Sequence, residues 1–429
     1  MERFNELGRG IEDLWRDLDY NEEVFPAIAA EALKKAELPS KISAWEIVEW
    51  TLGQSELPKQ KDPRANFAEP PITLFNGPRF YIDAYFWLEG TTAIHQHGFC
   101  GAFQVLLGSS IHSWYEFEKR EAINSFVEIG DMSLKVCQLL SVGDVQEIFP
   151  GRQYIHSLFH LDQPSVTIVI RTDKSALFLP QFSYHKPSLA VDPFYEHETT
   201  TRKLQVIAAL FRSEHPETDR MIADVLKRSD LHTSYLILNA ARDWLKGSQI
   251  DQLFGVSGQT DRFAALVAVT RERHGEKGKV LADVFERQKI LDEILKLRHV
   301  VTDPEHRFFL ALLLNVDGVE NISRLIAQRF PDTDPIEKML DWTFDLSNTR
   351  VVGLNIPNAL GIPDFDSVDL QILEYMLRDV ADADVTARLR ADHGDDTAAN
   401  LAGKLDEKID RIRTAPIFKP LFATETDII

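Results

Sequence analysis

The sequence predicts an α+β protein: an antiparallel β barrel or sandwich between an N-terminal helical segment and a large C-terminal all-α domain. Three observations carry this reading. Apolar residues recur at helical spacing before about residue 52 and again after about residue 190. Between them, short β-type runs follow one another roughly every ten residues, separated by Gly, Asn, Asp and Pro. The composition changes at Asp192-Pro193. The expected domains are 1–71 (helices and an extended connection), 72–190 (the β barrel) and 191–429 (the helical domain).

Composition bounds the function. The chain has 429 residues, 44% apolar and 27% charged, with a formal net charge of −20. That is an ordinary globular balance, and a sizeable core is expected. The negative field disfavours binding to nucleic acid and to anionic membranes. Two cysteines, Cys100 and Cys137, form no disulfide framework and suit a reducing compartment. The N-terminus carries charges throughout and has no apolar signal core, and no apolar run of about 18 residues occurs. A cytoplasmic location is therefore expected.

In the first segment, Ile11, Leu14 and Leu18 mark one helix. EEVFPAIAAEALKKAEL gives a second, with Pro26 in its first turn or at a break. SAWEIVEWTLG gives a third, capped by Ser43 and stopped near Gly53. Residues 54–80 carry five prolines and read as an extended connection. RFYIDAYFWLEG, AFQVLLGSSIHSWYEFEK, MSLKVCQLLSVGD, VQEIFPG and SVTIVIRT read as strands. Tyr81, Tyr85 and Trp87 alternate on one strand face, the pattern of a core or interface stripe. After residue 190 about nine amphipathic helices follow with short polar joins. Their histidines are scattered. Residues 348–365 read as an ordered apolar loop and 392–396 as a solvated turn. A lid, a homodimer surface and a partner-docking face are the roles open to this half.

The chemistry concentrates in AIHQHGFCG, residues 93–101. On a strand, His95 and His97 at i and i+2 share a face, so both imidazoles could bind one ion in cis. Taken alone, the pair could equally be two surface histidines. Downstream, residues 143–172 run through a Gly-Asp turn, Pro150-Gly151 and His156 into a long apolar strand.

Together these stretches resemble the two signatures of the cupin superfamily. EGTTAIHQHGFCGAFQVLLG is similar to the first, and the Gly-Asp turn, the Pro-Gly turn and His156 are similar to the second. The resemblance spans residues 75–185 and implies a double-stranded β-helix barrel with a metal inside. Two departures stand out. Gly101 and Ala102 occupy the positions where a cupin usually carries a glutamate ligand, and the spacing from Pro150 to His156 is one residue longer than usual. A cupin with three histidines and no carboxylate resembles the thiol dioxygenases, of which cysteine dioxygenase is the best-known member. The resemblance implies ferrous iron, Fe(2+), held by His95, His97 and His156, with O2 and a small, thiol-bearing molecule as substrates.

The donor set agrees with that implication. Three imidazoles on one side of an ion leave open positions for O2 and substrate. Loss of the carboxylate makes the site more positive and favours an anionic donor. Zinc also accepts three histidines, and Zn, Mn or Ni would support a non-oxidative isomerase or lyase. A non-catalytic ligand-binding barrel with a helical partner-binding domain is the third reading.

Four further residues, His160, Arg171, Tyr184 and His185, complete the expected catalytic set. His160, four after His156, is a supporting partner or an alternative ligand. Arg171 is a fork for a substrate carboxylate, with Arg79 and Arg152 as rivals. Ser183, Tyr184 and His185 offer the residue types, though not the spacing, with which thiol dioxygenases orient substrate and oxygen. His112 reads as structural. Cys100 lies three residues after His97, not the five of the cysteine that crosslinks to tyrosine in mammalian-type cysteine dioxygenases. It reads as a small apolar turn residue.

Overall fold

The computed structural model describes residues 2–61, 63, 68–88, 93–246, 260–351, 356–393 and 404–423. Gly90, which opens the first signature, and residues 352–355 and 394–396 of the two C-terminal segments singled out above lie outside the described residues.

The fold is α+β with antiparallel sheets, and the chain divides into two compact units. The first comprises residues 1–118, 132–184 and 190–194; the second comprises 119–131, 185–189 and 195–429.

The first unit begins with helices α1 (Glu2–Arg16), α2 (Phe25–Ala36), the single turn α3 (Leu38–Lys41) and α4 (Ala44–Gly53). Pro26 sits in the first turn of α2, where its missing N–H costs nothing. Ser43 caps α4 in a reciprocal box with Glu46, which satisfies two otherwise orphaned N–H groups.

Among the described residues eleven strands follow: β1 (Pro71–Asn76), β2 (Phe80–Trp87), β3 (Ile94–His97), β4 (Gly101–Leu107), β5 (Ser110–Asn124), β6 (Val127–Leu140), β7 (Val145–Ile148), β8 (Gly151–His160), β9 (Ser165–Thr172), β10 (Ser183–His185) and β11 (Leu189–Val191). One sheet has the order β1-β2-β9-β4-β7. The other, β10-β11-β6-β5-β8-β3, closes into a barrel through the β10–β3 pair.

Strand β2 shows how the layers form. Its even residues Phe80, Ile82, Ala84 and Phe86 pack with Phe4, Ile11, Trp15, Phe25, Ala29 and Leu33 of α1 and α2. Its odd residues Tyr81, Asp83, Tyr85 and Trp87 face an internal cavity. Both faces are buried, so the alternation is chemical as well as positional: aliphatic and phenyl outward, polar-tipped aromatic inward.

Beyond residue 195 the second unit is helical. Leu231–Leu245, Thr260–His274 and Glu276–Val300 pack together, and Pro304–Asn315 and Pro335–Asn348 carry a core around Phe308, Phe309 and Trp342. Asp230, Asp303 and Asp334 cap helices by accepting backbone N–H bonds. Lys186 and Arg287 both bind the buried Asp317 carboxylate, which holds that acid well below its usual range despite burial. Among the described residues, no helix is long and apolar enough to cross a membrane.

Candidate metal centre

The two histidine-bearing strands are neighbours. In the β3–β8 register His95 lies directly opposite His156, and the register shifts between His95 and His97. The Pro150-Gly151 turn starts β8: Gly151 takes φ +66°, a conformation that suits glycine. The Gly-Asp turn before β7 is closed by Asp144, whose carboxylate accepts the Ser141 N–H at 2.7 Å.

This register brings His95, His97 and His156 together. Their ligand nitrogens all lie within 4.8 Å of one another. The ring centroids are 4.6 Å (His95–His97), 4.8 Å (His95–His156) and 4.9 Å (His97–His156) apart. The Nε2 atoms of His97 and His156 face each other at 2.8 Å. That is close to the separation of two adjacent nitrogens each held at about 2.1 Å from one ion.

The His95 tautomer favours the same conclusion. His95 Nδ1 lies 2.7 Å from the Ala93 carbonyl, which can only accept, so His95 Nδ1 carries the proton and Nε2 keeps its lone pair. His156 Nδ1 lies 3.4 Å from His112 Nε2, which also lies 2.9 Å from the Tyr154 hydroxyl, while His112 Nδ1 accepts from the Gln138 amide at 3.2 Å. Such outer contacts fix ring orientation at metal sites. Burial pushes His95 down in pKa, and holds His97 and His156 well below the ordinary imidazole range. For His97, the nearby charges of His95, Arg171 and Lys174 add to burial. The rings are therefore neutral, the form that binds metal. The donor set fits a divalent transition-metal ion.

The absent carboxylate has a structural reason. A Cβ placed on Gly101 would stand 1.9 Å from the Ile170 carbonyl oxygen of β9. Ala102 points the other way, into the outer core.

The triad opens on a cavity of about 260 Å³, lined among others by Lys61, Tyr81, Asp83, Tyr85, Phe99 and Arg171. Arg171 of the expected catalytic set thus faces the same space as the histidines. Its rivals do not line it: Arg79 is exposed over Tyr20, and Arg152 is exposed over Phe182.

The other three expected residues have different partners. His160 shares the His156 face but lies four residues on, about 13 Å at ~3.3 Å per residue. There its Nδ1 meets Ser165 and Ser110, and its ring stacks on Trp87. The hydroxyl of Tyr184 donates to Gln96 within a separate apolar cluster. His185 bonds to the Tyr235 hydroxyl at 3.0 Å in the helical unit. Cys100 is buried in the outer core, its thiol pushed up to about 11 by burial.

Sequence reasoning missed Asp83, Phe99 and Tyr154, and read His112 as merely structural. One signal was available: Asp83 is a charged residue in an otherwise aromatic stripe. The stripe itself lines the cavity instead of forming an interface.

Buried neutral histidines make the unit acid-sensitive. In the unfolded chain they titrate near pH 6.5, so below that pH the unfolded state binds more protons and stability falls with pH. His112 and His160 titrate at about 4 and about 3 when folded. These two alone should remove up to about 3 kcal/mol of stability per pH unit between about pH 6 and pH 4. Urea titrations at pH 7, 6 and 5 measure this; equal stability at all three contradicts it.

No family model matches the chain, and no curated protein sequence matches it. Among solved structures, the chain is similar to a cupin-2 domain containing protein from Shewanella frigidimarina. The identity is 12% over 31% of this chain and 97% of that one, with a TM-score of 0.19. It is also similar to an uncharacterized conserved protein with a double-stranded β-helix domain from Klebsiella pneumoniae. There the identity is 14% over 26% of this chain and 83% of that one, with a TM-score of 0.18.

Proposed function

We propose that the protein is a non-haem Fe(II) dioxygenase acting on a small, thiol-bearing molecule, and that it works in the reducing cytoplasm. The observation that carries this reading is the group of three neutral imidazoles lining one cavity, with backbone where a carboxylate ligand would stand. A ferrous ion held by His95, His97 and His156 would supply the redox chemistry that joins O2 to the substrate.

The protein's own residues do the rest. Arg171 binds the anionic end of the substrate, with its guanidinium plane fixed on the Phe99 ring, 3.3 Å from the centroid. Phe99 also packs against His97, tilted by 43° with the ring centroids 4.4 Å apart, so one ring connects the anion site to the metal site. Trp87, Phe103, Ile148 and Leu158 exclude water. The overall change takes a thiol to a sulfinate. Both atoms of O2 end on sulfur, so no external reductant is required.

Metal content and oxygen consumption test this reading. Protein loaded anaerobically with Fe(II) and exposed to air with cysteine or 3-mercaptopropionate should consume one O2 per thiol oxidised. His97→Ala should consume none. A second reading, non-oxidative chemistry at Zn, Mn or Ni, draws on the same donor set. Stoichiometric zinc in the protein as isolated, with no oxygen uptake after iron loading, would select it.

A further inference from the structure

The cavity has a second polar wall that the metal ligands do not use. It is built from β2 and β9, where Tyr81 pairs with Arg171 and Asp83 pairs with Val169. Asp83 and Arg171 are therefore diagonal neighbours on one face, and both line the cavity. Both are more than nine-tenths buried, at 3% and 9% exposure.

Two of their atoms lack a hydrogen-bond partner among the described residues: Asp83 Oδ1 and Arg171 Nε. Folded proteins rarely leave such buried atoms unpaired, so a pair of them side by side in a cavity calls for an explanation. The Tyr85 hydroxyl bonds to both side chains and holds them at a fixed spacing. Asp83 also bonds to Thr73. The wall is thus preorganised, with one acceptor and one charged donor left over.

The complement of such a wall is a molecule with an anion next to an N–H or O–H donor. Arg171 requires the anion. Asp83 requires the donor and penalises a ligand that brings a second acceptor or a bare methylene to that place. A cavity of about 260 Å³ sets the scale at a small metabolite.

We propose that Asp83 and Arg171 form the anchoring subsite for an amino or hydroxy acid, its carboxylate on Arg171 and its adjacent donor on Asp83 Oδ1. This rests on the reading of the cavity as the substrate site. It narrows the substrate class from any small anion to acids with a neighbouring amine or hydroxyl.

Calorimetric titration of the full-length, Mn(II)-loaded protein tests it with four matched probes: alanine, lactate, propionate and ethylamine. Alanine and lactate should bind at least tenfold more tightly than propionate, and ethylamine should not bind measurably. Arg171→Met should abolish binding of all three acids. Asp83→Leu should bring alanine and lactate down to the propionate level. Asp83→Asn, which keeps an acceptor and loses the charge, should spare lactate while weakening alanine, and it guards against a folding failure of the leucine variant. Equal binding of propionate, or no acid binding by protein that carries stoichiometric manganese, overturns the subsite and leaves the metal centre standing. Acid selectivity in protein that takes up no metal would instead overturn the metal reading and support the subsite.

Discussion

Replacing His97 or His156 with alanine should abolish stoichiometric metal binding and leave the barrel folded. Each ring supplies one of only three donors, so two imidazoles remain in either variant and bind a divalent ion far more weakly. The fold survives because these rings are neutral and carry no ion pair. The apolar residues Phe103, Val105, Leu158 and Val169 hold the surrounding core. The cost of truncating either ring is on the order of 1–3 kcal/mol, from lost packing and an emptied site. His156→Ala should cost more, because it also strips His112 of a partner. The effect on metal-linked stability is larger. Metal at about a thousand times its Kd adds about 4 kcal/mol to the native protein, and should add nothing to either variant. Melting curves with and without Fe(II) or Mn(II) read this directly. A melting temperature that still rises with metal in both variants would discard the ligand set.

Gly101→Glu should destabilise the barrel by about 3 kcal/mol or more and should not add a ligand. A carboxylate here would match the usual cupin pattern, so simple analogy predicts tighter metal binding. The packing predicts the opposite. The new Cβ would meet the Ile170 carbonyl oxygen at 1.9 Å, and the Arg171 backbone lies just beyond. That obstacle is sheet backbone and cannot swing aside like a side chain. Relief requires β4 and β9 to separate where they pair Gly101 with Arg171. Overpacking of ordinary core sites costs about 1–3 kcal/mol, and a backbone clash exceeds that range. Urea unfolding and a metal titration of the same variant decide the matter. Wild-type stability together with tighter metal binding would show that this site accepts a fourth ligand.

The grouping of the three histidines was legible in the sequence for a local reason. His95 and His97 obey the two-residue period of a strand, and His156 is announced by the Gly-Asp and Pro-Gly turns that set the start of β8. The N-terminal helices were legible through Pro26, Ser43 and their apolar spacing. The cavity wall was not. Asp83 and Arg171 stand on different strands, and only the pairing of β2 with β9 puts them on one face. The Tyr81–Trp87 stripe resembles core because β2 is buried on both sides, and nothing local says which side meets a void. His160 keeps the predicted face, yet strand rise carries it to the far end of β8, where two serines and Trp87 hold it. Tyr184 and His185 carry suitable chemistry, but neighbours along the chain on a strand point to opposite sides. One therefore joins an apolar cluster and the other meets Tyr235.

An anomalous-difference map from crystals of iron-loaded protein, collected on either side of the iron absorption edge, tests the central claim most directly. A peak bonded to Nε2 of His97 and His156 and to a ring nitrogen of His95, with Arg171 and Asp83 facing it across the cavity, is the expected result. An iron peak elsewhere, or none beside these three rings in protein that holds stoichiometric iron, would contradict the three-histidine centre.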